Sequence, residues 1–315
     1  MNLIRADWPS TQAMLPHAVS IREVGPRDGL QSEDPISTAE KIRMIEALSH
    51  TGLPRIEAVS FVHPKAIPQM ADAKEVWSTV AVNDSVTYSA LAPNLVGAKR
   101  ALQSGFADIE VVVSASDTHN RNNIRRSTDE SLDELAELIE VVHRDKAEIE
   151  VIIATSFGCP FEGDVPVSRV GSIVDRVLSD GADRVAFGDT TGMATPRRVG
   201  ELLDVVKGAH PDVPLLLHFH NTRGTALANV LMALGYGVTE FDASVGGLGG
   251  CPYAPGASGN LATEELVHML HDMGIDTGVD LEALLEVAEM AEKMVGRTLP
   301  SGVLRAGPRS RRSTL

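Results

Sequence analysis

Two histidines stand two residues apart in the run Leu215-Leu216-Leu217-His218-Phe219-His220-Asn221. Side chains alternate along an extended chain, so both rings project from one face. Two imidazoles on one face can chelate a single metal ion. Asp28, in Gly25-Pro26-Arg27-Asp28-Gly29, and Asn260 are the candidates for a third and a fourth ligand. Two nitrogens with a carboxylate and an amide oxygen suit Mg²⁺ or Mn²⁺, with Zn²⁺ and Fe²⁺ as alternatives. Taken singly, a His-x-His pair also serves as a hydrogen-bonded structural pair, and an Arg-Asp step as a loop salt bridge. The metal reading rests on all of them reaching one place. Glu57 interrupts the apolar run Arg55-Ile56-Glu57-Ala58-Val59-Ser60-Phe61. A buried carboxylate needs a partner, and Arg27 is the expected one. Asp189, in Gly188-Asp189-Thr190-Thr191-Gly192, is placed to orient a catalytic histidine or a substrate, with an Asx turn as the plain alternative. Cys251 follows the glycine-rich Gly246 to Gly250 and reads either as a thiol on a lid or as a small apolar filler. Cys159, between Gly158 and Pro160, reads as packing.

The elements that must position these groups are short β-branched runs separated by helical stretches, the rhythm of repeated βα units. Strands are expected at 20–25, 55–61, 85–92, 108–116, 148–158, 184–192, 214–221 and 240–249. Amphipathic helices are expected at Ser37–His50 and Ser131–His143, among others. Eight such units close into a (β/α)8 TIM barrel, an α/β fold whose catalytic groups lie at the C-terminal strand ends. A doubly wound open sheet would carry a glycine-rich phosphate loop after its first strand. Gly25 to Gly29 lacks that spacing, and Gly246 to Gly250 reads as a mobile loop. Additional C-terminal helices are expected at 261–273 and 280–296. The resulting division is an N-terminal extension at 1–19, a catalytic barrel with its C-terminal helices at 20–297, and a flexible tail at 298–315.

Composition removes whole classes of function. The 315 residues carry a net charge of −15 and are 43% hydrophobic, which suits a large core and opposes a nucleic-acid surface, since phosphates demand clustered cations. The one basic cluster, Arg305 to Arg312, reads as a solvated tail. Two distant cysteines without disulfide spacing imply a reduced, cytoplasmic setting. No membrane span is expected, because no stretch approaches the roughly 18 apolar residues required.

The same residues carry a family resemblance. Glu23 to Gln31, Ser60 to Met70, Gly188 to Gly192 and, most distinctively, Gly247 to Glu264 resemble the hydroxymethylglutaryl-CoA lyase family, which sits in a wider group of metal-dependent TIM-barrel lyases and Claisen-type synthases. The matches spread from about residue 20 to 297. The resemblance implies Asp28, His218, His220 and Asn260 as ligands of Mg²⁺ or Mn²⁺. It implies Arg27 as the stabiliser of an enolate, Glu57 as a residue that holds the site together, and Cys251 as a lid residue. It also implies an acyl-CoA substrate and a homodimer. The expected reaction is retro-Claisen cleavage of 3-hydroxy-3-methylglutaryl-CoA to acetyl-CoA and acetoacetate, with His218 as first candidate for the base and Asp189 as second. A lyase for a related 3-hydroxyacyl-CoA and a Claisen-type synthase are the alternatives. Two positions depart from the family pattern: Asn221 stands where an aspartate is common, and Asp34 where a lysine is.

Overall fold

A computed structural model describes residues 15–250 and 259–311. Each of the eight expected runs forms a strand: β1 (Ser20–Glu23), β2 (Arg55–Ser60), β3 (Thr87–Leu91), β4 (Asp108–Ser114), β5 (Glu148–Ala154), β6 (Arg184–Gly188), β7 (Leu215–His218) and β8 (Glu240–Ala243). They pair in parallel in chain order and close when β8 pairs with β1, giving the TIM barrel. Helices surround it: α1 (Thr38–Ser49), α2 (Ala73–Thr79), α3 (Leu95–Gln103), α4 (Asp117–Ile124), α5 (Thr128–Arg144), α6 (Val167–Ser179), α7 (Pro196–Ala209) and α8 (Ala226–Gly235). α9 (Thr263–Asp272), α10 (Leu281–Val295) and the short α11 (Gly302–Ala306) are the C-terminal additions. Among the described residues no helix is long and apolar enough to cross a membrane.

The strands owe their places to a period of two. Ile109, Val111 and Val113 of β4, like Ile149, Val151 and Ile153 of β5, join the main hydrophobic core. The alternate positions point into the barrel, where Ile152, Ala186 and Leu216 make a small apolar plug beside a group of charges. The helices follow the 3.6-residue period. α5 buries Leu132, Leu135, Leu138, Ile139 and Val142, and it starts three residues before the expected Ser131 because Ser127 and Glu130 form a reciprocal cap.

The strands end earlier than their apolar runs. After Glu23 the chain makes one wide turn, Gly25–Gly29, in which the amides of Arg27, Asp28 and Gly29 all donate to the Val24 carbonyl. The expected strand 240–249 stops at Ala243, and the glycine-rich run that follows is not the mobile loop its composition suggests. Val245 to Gly249 are buried, and α10 packs against both α1 and the Val245–Gly247 turn. The tail expected from 298 is also partly built in: Leu299 and Ser301 are buried and α11 follows them.

Candidate active site

The wide turn after β1 presents Arg27 and Asp28 at the C-terminal rim of the barrel. Its glycines are demanded by close approach: a Cβ on Gly29 would lie 2.9 Å from both Leu248 and Ser244. β7 delivers His218, and one turn of the pleat further His220 pairs through a single bridge with Asn260. Gly249, at φ +108°, passes so near that a Cβ would stand 2.7 Å from the Asn260 amide nitrogen. The glycine-rich run therefore holds Asn260 against the rim.

Asp28, His218 and His220 each offer an atom within 4.8 Å of the other two, a spacing that can hold a metal ion. Asp28 Oδ1 accepts from Arg27 Nη1 at 2.8 Å and Gln31 Nε2 at 2.6 Å, and Oδ2 accepts from Asn260 Nδ2 at 2.8 Å. Asn260 Nδ2 also donates to the Leu248 carbonyl, which commits the amide nitrogen and leaves Oδ1 buried without a partner. His220 Nδ1 is likewise buried and unpartnered. Buried polar atoms are seldom left unpaired, and an orphaned amide oxygen and ring nitrogen beside a carboxylate are what a cation would satisfy.

The electrostatics agree. Burial, and then the neighbouring His218, push His220 down to about 3, so its ring is neutral at pH 7 and keeps a lone pair for ligation. Burial pushes Asp28 up, but the Arg27 guanidinium with the two histidines outweighs it and holds the carboxyl below the usual range. Five acids, Asp28, Glu57, Glu110, Glu150 and Asp242, gather round Arg22 and Arg27 in this region, with Arg184 reaching Glu150 as well. The residues present thus fit a divalent ion.

Glu57, fully buried on β2, accepts from Arg27 Nε at 2.5 Å, the partner its sequence position requires. Burial pushes it well above its ordinary value despite Arg27. With Nε on Glu57 and Nη1 on Asp28, no bond among the described residues engages Arg27 Nη2. Asp189 ends β6 and does two things. Its Oδ1 accepts from the Met193 and Ala194 amides at 2.7 and 2.9 Å, four and five residues on rather than the two of an Asx turn, while Oδ2 is buried without a partner. Burial raises this acid to about 6. The carboxylate that touches His218 is a different one: Asp242 Oδ2 lies 3.1 Å from His218 Nδ1. Asp242 and its partner Arg22 went unnoticed in the sequence, where the signal is an acid and a base in two short, half-polar strands, Ser-Ile-Arg-Glu and Glu-Phe-Asp-Ala. Cys251 lies outside the described residues. Cys159 is buried and free, with Sγ 3.0 Å from Ser116 Oγ, in keeping with packing. Of the two departures, Asn221 accepts from the Ala226 amide at the start of α8, and Asp34 is exposed.

Comparisons with known proteins identify the family. Over 287 residues, covering 91% of this chain and 96% of the relative, the chain is 47% identical to the hydroxymethylglutaryl-CoA lyase of Bacillus subtilis. It is 41% identical to the (R)-citramalyl-CoA lyase of Chloroflexus aurantiacus, covering 92% of this chain and 95% of that one. Among solved structures, an HMG-CoA lyase from Acinetobacter baumannii in complex with coenzyme A and 3-methylmalate superposes with a TM-score of 0.91 at 42% identity, covering 95% of this chain and 98% of that one. The model of the HMGL-like family matches residues 18–291, nearly the whole barrel with α9 and most of α10, and the chain belongs to that family.

Proposed function

We propose that this protein is a divalent-metal-dependent carbon–carbon lyase that cleaves 3-hydroxy-3-methylglutaryl-CoA to acetyl-CoA and acetoacetate. The observation that carries the proposal is the Asp28, His218 and His220 cluster, with the free Asn260 Oδ1 and Arg27 beside it, at the rim of a barrel of this family. Asp28, His218, His220 and Asn260 would hold the ion, Mg²⁺ or Mn²⁺ by the oxygen-rich half of the set, and it supplies Lewis-acid polarisation of the substrate's hydroxyl and a neighbouring oxygen.

The remaining chemistry falls to the chain's own groups. With Nδ1 on Asp242, His218 would give Nε2 to the ion, which leaves neither ring nitrogen to take a proton. The base is then Asp189, whose unpartnered Oδ2 and raised value of about 6 suit proton transfer near neutral pH. Loss of the hydroxyl proton lets the carbinol carbon become a ketone, and the bond to the thioester's α-carbon breaks with its electrons moving to the thioester oxygen. The open donor of Arg27 is suited to that developing charge, while Glu57 fixes the guanidinium's plane. Cys251, or a water beside it, returns a proton to the enolate carbon. Residues 20–297 carry all of these groups. A homodimer in the cytoplasm is the setting we propose.

The test is release of acetyl-CoA from the 3-hydroxy-3-methylglutaryl thioester with and without Mg²⁺, run beside citramalyl-CoA because a relative of comparable identity bears that name. Metal-dependent cleavage of the first thioester, abolished in His220→Ala, supports the proposal. Turnover of citramalyl-CoA alone would keep the reaction class and replace the substrate. EDTA should remove activity and leave the fold, and unfolding on chelation would instead make the ion structural.

A further inference from the structure

The centre of the barrel is tied together by one side chain. Arg22 of β1, 1% exposed, donates Nε and Nη2 to the two oxygens of Asp242 at 2.7 and 3.0 Å, and Nη1 to Glu110 of β4 and Glu150 of β5 at 2.7 Å each. Strand register lines up the other end: His218 of β7 pairs with Asp242 of β8, which pairs with Arg22 of β1. We infer that Asp242, clamped by Arg22, is a positioning residue for the metal site, holding the His218 ring so that Nδ1–H points to the carboxylate and Nε2 is offered to the ion.

The chemistry allows little else. An ionised carboxylate only accepts, so the His218 Nδ1 that it meets at 3.1 Å must carry the proton. Arg22 lays Nε on one Asp242 oxygen and Nη2 on the other, so both oxygens already act as acceptors in a salt bridge. The bidentate fork fixes the carboxylate's plane, and the two glutamates on the opposite wall take only Nη1, the nitrogen that does not reach Asp242. His220 is held otherwise, through its backbone bridge to Asn260 with Nδ1 unpartnered. Of the two rings, only His218 has a carboxylate built to choose its tautomer. A carboxylate behind a ligating histidine sets ring orientation and basicity, and its loss weakens metal binding.

This inference rests on the metal-site reading, and the experiment separates the two. Mn²⁺ affinity of the metal-stripped full chain is measured by electron paramagnetic resonance for the wild type, Asp242→Asn and Glu150→Gln, with thermal unfolding of each metal-free protein alongside. Asp242→Asn is expected to weaken Mn²⁺ binding about 10- to 100-fold. Glu150→Gln trims the same Arg22 network on the far wall, and it is expected to lower the melting temperature while leaving affinity near that of the wild type. Equal losses in both variants, or none in Asp242→Asn, overturn the assignment. Since Asp242→Asn could fail to fold, the wild type carries a second readout: nitrogen NMR of the imidazoles in metal-free protein at alkaline pH. An Nδ1–H tautomer at His218 is expected, and an Nε2–H tautomer there overturns the inference. A wild type that binds no Mn²⁺ removes the metal reading, and the tautomer still decides this one.

Discussion

The rim of the barrel has two halves that treat buried polar atoms differently. At the ends of β4 and β5 every buried hydroxyl is used: Ser114 Oγ meets Thr155 Oγ1 at 2.8 Å and His119 Nδ1 at 3.1 Å, Ser116 Oγ meets the His119 amide and Cys159 Sγ, and Ser156 Oγ donates to the Ile153 carbonyl. Thr155, a β-branched residue at φ +56°, is held in a strained conformation by this mesh. At the ends of β6, β7 and β8 the reverse holds. Asp189 Oδ2, His220 Nδ1 and Asn260 Oδ1 are buried with nothing to bond among the described residues. Orphaned atoms cost free energy unless a ligand completes them, so the first half is architecture and the second is a receptor.

Substitutions can break that contrast. The largest effect belongs to His220→Ala, which removes a ligand and should eliminate metal-dependent turnover while the metal-free protein still melts cooperatively. Arg27→Ala comes next. Glu57 then loses its ion pair and meets this by taking up a proton, so the fold survives, and kcat should fall about 10²- to 10³-fold, the loss expected for a donor to developing charge. Near-normal turnover would remove Arg27 from the chemistry. Asp189→Asn should lower kcat/KM about 10²-fold or more, and it carries a pH signature. Burial raises the acid to about 6, so the wild type, needing it ionised, loses activity as pH falls through about 6 and is level above it. The variant's residual rate should lack that limb. A limb that persists unchanged assigns it to another group. The smallest effect on turnover is expected in the other half. Ser114→Ala strips a partner from Thr155 and His119, costs about 1–3 kcal/mol of stability, and leaves kcat within about twofold by the same reasoning. A large loss of activity there would erase the distinction between the halves.

The sequence carried the receptor half better than the interior that supports it. Chelation by His218 and His220 follows from alternation alone, and their rings do lie together, with centroids 5.1 Å apart. The partner of Glu57 was legible because an acid in an apolar run requires one. Strand ends were drawn too long for a physical reason: Phe219, Val245 and Leu248 are as buried as the strands before them, so burial persists where the ladder has stopped. Arg22 and Asp242 escaped because a charge at every second position of a strand usually faces water. Only closure of the sheet turns that face inward, and which charges then meet depends on register, as with Glu110 beside Glu150, a like-charged pair made tolerable by the arginine between them. Asp189 was singled out, but in place of the Asx turn its Oδ1 takes the amides of Met193 and Ala194, and its spare oxygen becomes visible only once they have claimed the other.

Asn260 and Asp28 are 232 residues apart and meet across the seam where β8 closes onto β1. A growing chain that has completed seven strands owns both histidines and the aspartate but not the last of the four proposed ligands, and the strand that carries Asp242 is still to come. On the proposed ligand set, full affinity for an ion would be acquired at the end of synthesis, when the final strand docks. Metal uptake would report ring closure in a refolding experiment, and a partly made or mispaired barrel would be poor at capturing ions from the cell's pool.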